Sequence, residues 1–189
     1  MNSVQSGVSE EEQTSHSRPL EGMRVIDLTD YRGDVGPWML GELGADVIKV
    51  EPPGGCSTRA LNPIRKDDIS DLRSLHFSSY SSNKRSIVLD LEDPGERATF
   101  LKLVESADFL YESGLPTPLS QMGIDRNELR AINEEMVHVV VTPFGIDGPR
   151  SEDPHSELSI ASLGGSPNLQ GTPDRPPVKA SIPQVWRHA

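Results

Sequence analysis

Short apolar, β-rich runs alternate with stretches of helical spacing along most of this chain, and that alternation limits the folds open to it. Met23 to Leu28 (MRVIDL) reads as a strand, and Val35 to Leu43 as a helix. Asp46 to Val50 (DVIKV) is the next strand, stopped by Pro52 and Pro53, which cannot continue a ladder. Ser86 to Leu91 (SIVLDL) is a third. Asp93 then caps a helix with Pro94 at its first position, and Phe100, Leu101 and Val104 keep helical spacing toward Ser106. Asp108 to Tyr111 is a fourth strand, Asp125 to Ile132 another helix, and Val137 to Thr142 a fifth strand. Strand and helix in this order, with largely apolar strands, predict an α/β, Rossmann-like fold: a parallel sheet flanked by helices.

Two stretches interrupt the rhythm, 52–82 and 145–154, and long irregular segments inside a compact domain are usually functional or interface-forming. Residues 1–18 are polar, with Glu10, Glu11 and Glu12 in succession; they bury too little to offset chain entropy and are expected to form a disordered acidic tail. The folded part is 19–189. After Gly171 come four prolines and no finished element, so the chain reads as incomplete for an α/β sheet.

Composition narrows the function. The 29 Asp+Glu against 18 Lys+Arg give a net charge of −11, which repels polyanions and argues against nucleic acid as the partner. No run of 18 apolar residues suggests a membrane span, and the N-terminus lacks a signal-peptide core, so a cytoplasmic location is expected. A single cysteine, Cys56, excludes an internal disulfide and a cysteine metal cluster. The histidines, His16, His76, His138, His155 and His188, show no i, i+3 or i+4 pair, so no metal site is expected.

Ligands of open parallel sheets lie at the C-terminal ends of the strands, which makes Thr29 to Gly36 (TDYRGDVG) the first place to look. The G-x-G-x-x-G pattern is absent, and Asp34 would oppose a phosphate, so Gly33 and Gly36 read as tight strand–helix packing. Glu51, at a second-strand end, is the one feature shared with dinucleotide sites. Asn83, Lys84, Arg85 and Ser86 form a basic cluster able to hold a phosphate or carboxylate, or simply a solvated start to a strand. His138 reads as a satisfied buried side chain, and Cys56 as a small loop residue. There is no G-x-S-x-G elbow. Glu157 opens the apolar run LSIASLGG, a place suited either to an ordinary first-turn acid or to an anion with a task.

Together, PLEGMRVIDL, LGADVIKVEPPGG, NKRSIVLDLEDP, FGIDGP and GTPDRPPV, in this order, resemble the family III CoA-transferases (CaiB/BaiF), over Pro19 to Ala189. That group includes formyl-CoA and carnitine CoA-transferases and α-methylacyl-CoA racemases. The resemblance implies the first part of a Rossmann-like large domain from an interlocked dimer, in chains about twice this length on the usual domain scale. It implies acyl-CoA and a carboxylic acid as substrates, coenzyme A being substrate rather than a tightly bound cofactor. The partner would be a second copy or a second CoA-transferase half, with no role for a membrane. The implied chemistry is attack of a carboxylate on the thioester, giving an anhydride and then an enzyme thioester. Residue by residue, Glu157 falls at the nucleophile, where the family has aspartate. Tyr31, Arg32, Gly33, Asn83, Lys84, Arg85 and Glu112 fall at CoA-binding positions. Asp34 replaces a usual proline, Ser113, Gly114 and Leu115 replace the asparagine, aromatic and arginine of E-N-F-R-P-G, and Ile146 replaces a glutamine. The resemblance therefore leaves two main readings, a CoA-transferase using Glu157 or a catalytically degenerate CoA-transferase-like domain or fragment with a binding or assembly role; racemase activity is a third option, whose paired acid/base groups are only dimly echoed in His155, Ser156 and Glu157.

Overall fold

The computed structural model describes residues 17–66, 70, 72–114, 117–176, 178, 180 and 185–187. All but Ser17 and Arg18 of the expected acidic tail lie outside the described residues, as do Leu115 and Pro116 of the loop after the fourth strand. The elements are β1 (Arg24–Leu28), α1 (Val35–Glu42), β2 (Asp46–Glu51), α2 (Leu75–Ser81), β3 (Lys84–Val88) and α3 (Pro94–Glu105). They continue with β4 (Phe109–Ser113), α4 (Pro118–Gln121), α5 (Arg126–Ile132), β5 (Val137–Val141) and α6 (Glu157–Leu163). All neighbouring strands pair in parallel in the order β3-β2-β1-β4-β5. The order reverses between β1 and β4, and that switch point is where open α/β sheets leave a crevice at their carboxyl edge.

Two expectations from sequence shift. The third strand starts at Lys84 rather than Ser86, because Lys84 to Val88 run in register with Val47 to Glu51. The strand ends at Val88, the Leu89 amide makes a last bond to the Glu51 carbonyl at 2.9 Å, and Leu89 and Leu91 pack in the core with Phe100 and Val104. The irregular stretch 52–82 also contains a 3₁₀ turn, Ser57–Ala60, and α2, which Ser74 caps by accepting from the Phe77 amide.

The two faces of the sheet differ. Ile26, Val50 and Leu110 point into the larger core with Phe100, Val104 and Leu129 of α3 and α5, and each such fully buried side chain is worth about 1.5–3 kcal/mol. On the opposite face, Val25 and Val47 form a small apolar cluster with Leu40 of α1, and beyond it the same face turns ionic. Side chains alternate along a strand, so Asp27, Lys49, Glu51, Lys84 and Ser86 all fall on that face. Among the described residues no helix is long and apolar enough to cross a membrane.

Candidate functional site

The ionic face is assembled from three strands. Lys84 and Lys49 donate to the same Asp27 oxygen at 2.8 and 3.3 Å, while the Thr29 amide and hydroxyl donate to the other at 2.8 and 2.6 Å. Lys49 also donates to the Thr29 carbonyl at 2.8 Å, and Lys84 to the Asp34 carbonyl at 3.2 Å. Burial opposes the Asp27 charge, but the two ammonium groups and the Thr29 bond outweigh it and hold the carboxyl below its ordinary range. Burial pushes Lys84 below the ordinary lysine range; Asp27 opposes that and Lys49 adds to it. Beside this cluster, Glu51 accepts two bonds from Arg59 (2.6 and 2.7 Å), one from the Cys56 amide (2.9 Å) and one from Ser86. Burial is again outweighed, and Glu51 is lowered to about 2. With its carboxylate so occupied and 1% exposed, Glu51 offers nothing to a ribose. Burial raises the Cys56 thiol, so it carries little thiolate at neutral pH.

Glu157 stands at the first position of α6. That helix starts there because Ser156 caps it: its hydroxyl accepts from the Ser159 amide at 3.1 Å, and the Ser159 hydroxyl accepts from the Ser156 amide at 2.8 Å. Glu157 lines a cavity of about 620 Å³, a volume suited to a small-molecule site. Tyr31 of the first loop, Leu75, His76 and Tyr80 of α2, and Trp186 share the lining. The Tyr80 ring lies 5.0 Å from that of His76 and meets Trp38 edge-on at 5.8 Å.

A histidine–carboxylate pair reaches this cavity. His76 Nε2 and Asp34 Oδ2 are 2.5 Å apart, with side chains 11% and 4% exposed. Asp34 occupies the position before α1, where an aspartate ordinarily caps the helix and adds about 1 kcal/mol. Here its side chain makes no cap bond, and Oδ1 is buried without a hydrogen-bond partner. Leaving such an oxygen unsatisfied costs about 1–3 kcal/mol.

At the carboxyl edge of β1, β2 and β4 lies a second crevice of about 320 Å³, bordered by Thr29, Asp30, Arg32, Pro52, Asp90 and Ser113. Arg32 bonds both oxygens of Asp30 through Nε, and Asp30 Oδ2 again through Nη2 at 2.5 Å. Burial would raise Asp30, but the Arg32 bonds win and keep it low. Gly33 is needed there, since a Cβ would meet Thr29 Cγ2 at 3.0 Å and Ser113 Cβ at 3.1 Å.

The fold thus brings Tyr31 and Glu157 to one cavity and places Arg32 on the neighbouring crevice. The other expected residues do not gather there. Asn83 donates to the Trp38 carbonyl (3.0 Å) and Glu42 (2.7 Å), tying α1 to the start of β3. Lys84 is committed to Asp27, and its side chain is 1% exposed. Arg85 points to the other face, paired with Asp46 at the opposite end of the sheet. Glu112 is buried, 3.0 Å from His138 Nε2, and accepts from the Leu119 amide at 3.3 Å. His76 is the cavity residue that sequence reasoning missed; the departure at Asp34, its partner, was the available signal. Among the described residues, no group of three His, Cys, Asp or Glu side chains could hold a metal ion.

Comparison with known proteins shows the family. The profile of CoA-transferase family III matches residues 20–188. An acetyl-CoA:oxalate CoA-transferase of Acetobacter aceti is 38% identical over 163 residues, covering 85% of this chain and 41% of that protein. A succinate–glutarate CoA-transferase of Agrobacterium fabrum is 36% identical over 170 residues, covering 87% and 42%. The crystal structure of a CaiB/BaiF family protein from Brucella suis superposes with a TM-score of 0.72 at 36% identity, over 87% of this chain and 44% of that one. The chain spans about two fifths of the length of these curated relatives.

Proposed function

The chain belongs to CoA-transferase family III, and from that premise we propose that it carries the nucleophile, Glu157, of an acyl-CoA:carboxylate CoA-transferase. The observation that supports this most is the placing of Glu157 at the head of α6, on a cavity large enough for an acyl group. In the proposed reaction a Glu157 oxygen attacks the thioester carbonyl; the carbon–sulfur bond breaks and CoA leaves as thiolate. The resulting anhydride is reopened by the thiolate at the glutamyl carbonyl, releasing the acyl group as a carboxylate. The acceptor carboxylate then attacks the glutamyl thioester, and the mixed anhydride so formed returns CoA to the acceptor.

Coenzyme A would approach over the carboxyl-edge crevice. There Arg32, raised chiefly by its bonds to Asp30, would be a permanent cation in the lining for a phosphate. Asn83, Lys84 and Arg85 would then act through the fold, by fixing α1 and β3 beneath the first loop. The rest of the site would come from a second copy or a second CoA-transferase half. Relative to an aspartate, Glu157 sets its carboxylate about 1 Å further out, a displacement that costs rate unless the cavity accommodates it. Four departures at motif positions favour the second reading, a domain with a binding or assembly role and no turnover.

Intact-mass spectrometry after mixing the protein with acetyl-CoA or succinyl-CoA, then hydroxylamine, separates the readings. A hydroxamate mapped to Glu157 is expected for the transferase. A folded sample that binds CoA and forms no adduct leaves the assembly role.

A further inference from the structure

Within the cavity that Glu157 lines, the pairing of His76 with Asp34 has no part in the transfer chemistry above. A carboxylate nucleophile is already deprotonated and requires no base, and neither thiolate nor acceptor carboxylate has a proton to give up. An imidazole oriented by a carboxylate beside such a nucleophile serves a reactant that does carry a proton. The pair is also built against local preference: Asp34 gives up its capping position and buries an unpartnered Oδ1 to hold His76 at 2.5 Å. Local rules broken without a packing gain are a feature of functional positions. Both side chains are largely buried, and His76 faces the cavity.

We propose that Asp34 and His76 form a base dyad that directs water onto the acyl group held by Glu157, giving this cavity an acyl-CoA hydrolase activity. The inference rests on Glu157 as the nucleophile. Attack by Glu157 breaks the carbon–sulfur bond and releases CoA thiolate. Water then adds to the acyl carbon; one of its protons passes to His76, the bond to the Glu157 oxygen breaks, and its electron pair restores the carboxylate. The released acid loses the second water proton to solvent, and His76 returns the first to the thiolate or to solvent. With Asp34 engaging Nε2, the proton-taking nitrogen is Nδ1, reached by water directly or through a group bonded to it.

The test uses the full natural polypeptide with acetyl-CoA or succinyl-CoA and no carboxylate acceptor, in ¹⁸O-water. Free thiol is followed against time and the released acid is analysed for ¹⁸O. The dyad predicts a burst of up to one thiol per site followed by multiple turnovers, with label in the acid. H76Q keeps the burst and slows the turnover about 100-fold or more, and flattens its pH profile. D34N does the same to a smaller extent and serves if H76Q melts early. A burst without turnover, or H76Q turning over like the parent, overturns the dyad and leaves Glu157 standing. No burst in the parent, or a burst retained by E157Q, overturns the nucleophile and the dyad together.

Discussion

Removing the charge of Asp27 while keeping its shape tests how the ionic face is held. In Asp27→Asn, the two ammonium groups that share Oδ2 at 2.8 and 3.3 Å lose their common counter-ion inside the fold. Breaking a buried pair by removing one partner costs about 3–5 kcal/mol. For a domain of this size 1 kcal/mol is worth about 2–4 °C, so Tm should fall by roughly 6–20 °C. Lys84 limits the loss, because burial already favours its neutral form and deprotonation relieves the repulsion. Lys84→Met should therefore cost less, below about 2 kcal/mol, since Asp27 and Lys49 remain as a one-to-one pair within a well-packed shell. The double variant should be more stable than Asp27→Asn alone by about 1 kcal/mol or more. Urea titrations followed by far-UV circular dichroism measure all three. If Asp27→Asn stays within 1 kcal/mol of the parent, or Lys84→Met loses as much as Asp27→Asn, the cluster is not what balances these charges.

Three further outcomes are expected. Glu51 is lowered from 4.5 to about 2, so its stabilisation is complete above pH 4.5 and lost as pH falls toward 2. That amounts to about 3 kcal/mol, and the difference in urea midpoint between the parent and Glu51→Gln should shrink over that interval. Gly36→Ala brings a Cβ to 2.7 Å from the Tyr111 ring. Overpacking at about 1–3 kcal/mol should outweigh the roughly 1 kcal/mol of helix propensity gained, so a rise in Tm would show that the ring has moved aside. Because burial raises its thiol, Cys56 should react with iodoacetamide at pH 7 more slowly than a free cysteine, and approach it only on unfolding.

Periodicity marked every strand of the sheet, since β1, β2, β4 and β5 are short apolar runs closed by breakers. Pattern alone misplaced β3, because Lys84 and Arg85 look like a polar approach to a strand. Only the tertiary partners Asp27 and Asp46 show why charged residues belong to it. Helix α2 escaped notice because LHFSSYS has little helical preference; it is held by the Ser74 cap and by burial of Phe77. His76 was missed for a related reason: its partner lies 42 residues away, and no local spacing rule ties the departure at Asp34 to it. Glu157 was legible through its setting before an apolar run, but the walls of its cavity were not, since they come from three separate parts of the chain.

The ionic face also governs how the strands can align. Asp27 of β1 sits across from Lys49 of β2, which in turn faces Ser86 of β3, while Lys84 reaches back to Asp27. A slip of any one strand by a single residue would turn its charges toward Ile26, Val50 and Phe100, where no counter-ion waits. A purely aliphatic sheet of five-residue strands would tolerate such sliding with little change in buried area. Here the ions act as notches that admit one alignment of the three strands, and through them the loop that carries Tyr31 and Asp34 meets His76 of α2 at the right height.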